Sequence, residues 1–62
     1  MTLAEEAEKL RAIDAKLDEA QSLANLAFPN GWIEEEIRHL REQIAVAVTT
    51  REEVMAERSA RA

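Results

Sequence analysis

Two long runs of this sequence repeat their apolar residues on a helical period, and one short break divides them. From Leu3, apolar side chains recur every seven residues at Leu10, Leu17 and Ala24, with Ile13, Ala20 and Ala27 each three residues after one of these. Residues three and seven apart share a helix face, so the pattern predicts an amphipathic helix over about residues 3–27. Glu6 is the one mismatch in that seam. A second stripe, Ile33, Ile37, Leu40, Ile44 and then Ala47 or Val48, predicts a helix over about residues 31–60.

The second stripe blurs after Val48. Arg51 and Arg58 occupy positions that a strict heptad makes apolar, and Val54 and Met55 resume an apolar face. The register is therefore expected to shift near Val48. Thr49-Thr50-Arg51-Glu52-Glu53 either holds that shift or forms a capping box opening a short third helix. One continuous helix is favoured, because the two helices then match in length, roughly 40 Å each at ~1.5 Å per residue.

Phe28-Pro29-Asn30-Gly31-Trp32 separates the stripes and contains the chain's only Phe, Pro, Gly and Trp. Pro29 cannot continue the first helix and pushes Phe28 out of helical geometry. Asn30 is expected to cap the second helix, with Glu34, Glu35 and Glu36 near its positive end. At the other terminus, Thr2-Leu3-Ala4-Glu5 has the spacing of a capping box. The fold class is all-α, an antiparallel two-helix hairpin forming a single domain.

Folding back at the break pairs positions whose numbers add to about sixty: Ala24 with Ile37, Ala20 with Leu40, Leu17 with Ile44, and Ile13 with Ala47 or Val48. Small residues on the first helix then meet large ones on the second, which allows close packing. A single seam between two helices buries too little apolar surface to offset the ordering of 62 residues, and the chain has no cysteine to staple it. A second protein surface is the expected remedy: a homodimer or higher oligomer, or another protein partner.

Helical position suggests where that surface lies. Trp32, His39, Gln43, Val46 and Thr50 share a stripe beside the seam of the second helix, while Leu23 and Leu26 lie off the seam of the first. Leu23, Leu26, Phe28 and Trp32, gathered at the turn end, are the expected anchors, because aromatic residues dominate interface energetics.

Composition then excludes several classes. About two thirds of the residues are strong helix formers. Thirteen acids against eight bases give a net charge of −5 with no basic patch, so nucleic acid is not an expected partner. Glu dominates the polar face where a membrane-surface helix carries Lys and Arg, and the longest apolar run, Ile44 to Val48, is far too short to span a bilayer. With no secretory pattern at the start, a cytoplasmic protein is expected, or an intravirion one if the chain is phage-encoded.

Chemistry is thin. Glu36 and His39 have the Glu-x-x-His spacing with which carboxylate-bridged metal bundles place two ligands on one helix face, but the facing positions near Gln21, Ala24 and Asn25 supply no inward carboxylate. A ligand pair would have to be completed across a dimer. Ser22 and Ser59 lack a neighbouring His with an orienting carboxylate, and no Gly-rich loop cradles phosphate. No cofactor, catalytic residue or small-molecule substrate is expected. Glu34, Arg38 and Glu42 have the spacing of an ion-pair ladder. The leading function is that of a non-enzymatic interaction protein: a self-associating bundle, adaptor, cochaperone or regulator. The alternative is an acidic inhibitor that mimics nucleic acid.

Overall fold

A computed structural model describes residues 1–61. Helix α1 spans Leu3–Ala27 and α2 spans Trp32–Arg61, and there are no strands among the described residues. The two pack antiparallel along a rod of 50 × 15 × 13 Å.

Local chemistry sets each boundary. At the start of α1 the Glu5 amide donates to Thr2 Oγ1 at 3.1 Å and the Thr2 amide donates to Glu5 Oε1 at 3.4 Å, the reciprocal pair expected from the sequence. At its end the Phe28 amide still donates to Ala24 O, but Phe28 itself leaves helical geometry at φ −136°, ψ 73° under the constraint of Pro29.

The turn departs from expectation at Asn30. Its φ of 61° is left-handed, a region Asn tolerates better than most residues. Phe28-Pro29-Asn30-Gly31 is closed by the Gly31 amide donating to Phe28 O at 2.9 Å, with Pro first and the left-handed residue second among the central pair, the type II arrangement. Asn30 thus shapes the turn, and α2 begins two residues later at Trp32, so it does not sit at the capping position. Gly31 is needed for space: a Cβ there would stand 2.9 Å from Phe28 O and 3.2 Å from Phe28 Cβ.

Helix α2 runs unbroken through Thr49-Thr50, whose hydroxyl at Thr50 donates to Val46 O at 2.9 Å and so stays within the helix. The expected register shift is replaced by a cross-helix pair. Arg51 donates from Nε and Nη2 to Glu6 Oε1, both at 3.3 Å, and from Nη1 to Ala47 O at 3.0 Å. The two residues that interrupt the apolar pattern, one on each helix, answer each other.

Burial is sparse. Ala7, Ala24, Ile44 and Val48 are the buried apolar residues, with Ala7 at 1% exposure, and no large side chain is fully enclosed. Leu10, Leu17, Ala20 and Ile37 are half-buried between the helices. Ile13 and Leu40, expected in the seam, are instead 51% and 44% exposed. The reason is a rotation of each helix by part of a turn. Asp14, Gln21, Glu34 and Arg41, each neighbouring in space the apolar position it displaces, are half-buried along the contact in their place.

Candidate functional site

The rotation gives the hairpin two unlike flanks. On α1, the row facing the other helix is Leu3, Leu10, Leu17 and Ala24; on α2 it is Ile37, Ile44 and Arg51. Roughly 50° to one side of these lie Ala7, Asp14 and Gln21 on α1 and Glu34, Arg41 and Val48 on α2. Equally far to the other side lie Ile13, Ala20 and Ala27, and Ile33, Leu40, Ala47 and Val54. In an antiparallel pair, the same sense of rotation on each helix leads to the same side of the hairpin, as the bonds between the helices confirm.

On the first flank the helices are tied by a polar network centred on Arg41. Its guanidinium grips Asp14 with two bonds, Nε to Oδ1 at 2.9 Å and Nη2 to Oδ2 at 3.2 Å. Nη1 donates to Asp18 Oδ1 at 3.0 Å and to Gln21 Oε1 at 2.8 Å, and Gln21 Nε2 passes the chain on to Glu34 Oε1 at 2.9 Å. Arg11 extends it with a 2.6 Å bond to Glu52. The hydrogen bonds from Arg41 hold the Asp14 carboxyl below its ordinary range, and Asp14 raises Arg41 in turn. A planar fork on a carboxylate is the geometry in which an Arg pair contributes orientation as well as attraction.

The expected ladder along α2 does not form. Glu34 is occupied by Gln21, Arg38 approaches Glu35 at 3.8 Å, and Glu42 approaches His39 at 4.0 Å. Cross-helix partners outcompete neighbours on the same helix because they also close the hairpin.

The second flank carries the exposed apolar residues. Ile13, Leu23 and Leu40 face out on it, and Leu26, Trp32 and Val46 lie farther round, toward the outer surface. Leu26 and Trp32 are 81% and 73% exposed, and with Leu23 and Phe28 they gather at the turn end. Further along α2, His39, Leu40 and Gln43 line one shallow depression with Glu36 and Ile37. Val46 borders another with Ala45 and Thr50. The structure thus places Leu23, Leu26, Phe28, Trp32, His39, Gln43 and Val46 on open surface in two groups, one at the turn and one along α2. Ile13 and Leu40 join them, and sequence reasoning missed both because their spacing fits a seam equally well.

The acidic and metal-binding readings can be placed on the same map. Glu6, Asp14, Asp18, Glu34 and Glu52 are each bonded to a side chain of the other helix. Among the described residues, no three of His, Cys, Asp and Glu come together in an arrangement that holds a metal ion, and Glu36 and His39 stand on the open flank. Nor is any helix of the described residues long and apolar enough to cross a membrane. No protein-family model, curated protein or solved structure matches this chain.

Proposed function

We propose that the chain is a non-enzymatic interaction module, acting by docking its apolar flank on another protein surface. The observation that carries this reading is the one-sidedness of the hairpin. Ile13, Leu23, Leu26, Trp32, Leu40 and Val46 are exposed on one side of it, while side chains from both helices bridge the other. Contiguous apolar surface of this kind marks a contact site in soluble proteins, whereas single exposed apolar residues do not. A hairpin whose buried residues are two alanines, one Ile and one Val also gains most by covering such a face.

Site-directed photo-crosslinking in the native host tests the reading. A crosslinking residue at Leu40 or Val46 is expected to form adducts with protein, and the same residue at Arg38 or Ala45, on the bridged flank, is not. Equal labelling of the two flanks, or labelling of neither, overturns the assignment.

A further inference from the structure

We infer that the occupant of the open flank is a second copy of this chain, the two hairpins pairing face to face as a four-helix bundle. The inference rests on the reading of that flank as an association surface and adds the identity of the partner.

The first argument is the direction of the apolar stripes. On α1 the stripe consists of the facing row and its neighbour Ile13, Ala20 and Ala27; on α2 it is Ile37 and Ile44 with Ile33, Leu40 and Ala47. Each stripe is centred to one side of the line joining the helices, and both are displaced toward the same flank. A hairpin that packed only on itself would centre its stripes on its own contact. In a four-helix bundle each helix instead aims its stripe between two neighbours, toward the bundle axis. Both helices here are turned in that way.

Area supplies the second argument. The chain exposes 4842 Å². A compact monomer of its 7.0 kDa exposes about 4,000 Å² by the scaling of surface with mass, which leaves a surplus of about 800 Å². That surplus equals the ~800 Å² that each partner contributes to a standard stable interface. A second rod of the same 50 Å length covers the face from end to end.

Charge is the third. The row that rims the open face on α1 carries Lys9 and Lys16, and the corresponding row on α2 carries Glu36 and Glu57, all four exposed. A copy related by a two-fold axis parallel to the helices sets each α1 beside its partner's α2. Basic rim then meets acidic rim on both edges, and every pair of neighbouring helices is antiparallel. The face is its own complement.

Sedimentation equilibrium with two charge-reversed variants tests this. The wild-type chain is expected at twice its 7.0 kDa mass, with helicity that falls on dilution. Lys9→Glu with Lys16→Glu makes both rims acidic, and Glu36→Lys with Glu57→Lys makes both basic; each variant alone should self-associate at least about tenfold more weakly. Mixed in equal amounts, the two should recover the dimer. These are surface positions, so the hairpin contact is untouched. A wild-type chain that is a folded monomer at about 100 μM, or that has any mass other than two chains, overturns the inference. So does a mixture that fails to favour the mixed dimer. Crosslinks from Leu40 to other proteins, found with a monomeric wild type, would overturn the second copy and leave the docking flank standing.

Discussion

The two flanks of this hairpin differ in what joins α1 to α2. On one, Arg41, Gln21 and the carboxylates of Asp14, Asp18 and Glu34 span the gap with directional bonds. On the other, Ile13 and Leu40 stand exposed at its edge. Exposed ion pairs ordinarily contribute little to stability, so the value of the bridged flank lies in geometry: a two-pronged grip on Asp14 and a third contact to Asp18 fix how far each helix is turned. Polar residues thus set the orientation, and the apolar row is turned outward as a consequence. A domain can specify an association surface by the way it closes its opposite side.

The largest expected effect separates the buried row from the exposed one. Ile44 is buried between the helices and Val46, two residues on, is exposed. Ile44→Ala should lower stability by about 2–4 kcal/mol, enough to leave so small a core largely unfolded. Val46→Ala should change it by no more than about 0.5 kcal/mol. Urea unfolding followed by circular dichroism, at one chain concentration, compares them. Similar losses would mean that Val46 is covered in solution and that the division between rows is drawn in the wrong place.

Much of this arrangement is legible in the sequence. The capping box at Thr2 and Glu5, the break at Pro29, the antiparallel pairing and the continuity of α2 all follow from residue chemistry that acts within a few positions. The rotation does not. Ile13 and Asp14 are adjacent, as are Leu40 and Arg41, and apolar periodicity prefers the first of each pair. Only the partner helix shows that Asp14 and Arg41 belong together. The pairing rule did contain a usable signal: Glu6 and Arg51, each a defect on its own helix, have numbers that add to about sixty, the register of the hairpin. Reading the two mismatches as a pair removes the need for a register shift.

The bridged flank should respond to acid in a way the open one does not. Asp14 is held below its ordinary range by Arg41, so its contribution is fully present above the unfolded carboxyl value, about 3.9, and is lost as pH falls through the lower folded value. Asp14→Asn should therefore unfold at lower urea concentration than wild type at pH 6, with the gap narrowing below about pH 4. Leu23→Gln, on the open flank, introduces no titrating group and should show no such convergence. A gap for Asp14→Asn that persists undiminished at pH 2 would remove the ion pair from the account of how the helices are turned.

The smallest effect locates the margin of the open face. Trp32 lies on α2 two rows beyond Leu40, on the side turned away from α1, and is 73% exposed. Pairing of two hairpins through the rows of Ile13 and Leu40 leaves that position outside the bundle centre, as the outward positions of a helix in a four-helix bundle are left. Dilution across the dimer-to-monomer transition should then change the Trp32 emission maximum very little at concentrations where mass and helicity change together. A blue shift that tracks the mass would show the indole losing water on association and would extend the contact to the turn end, where Leu26 and Phe28 also stand. An unshifted emission leaves Trp32 and Leu26 as apolar surface on the outside of the paired hairpins, the natural place for any further protein contact to begin.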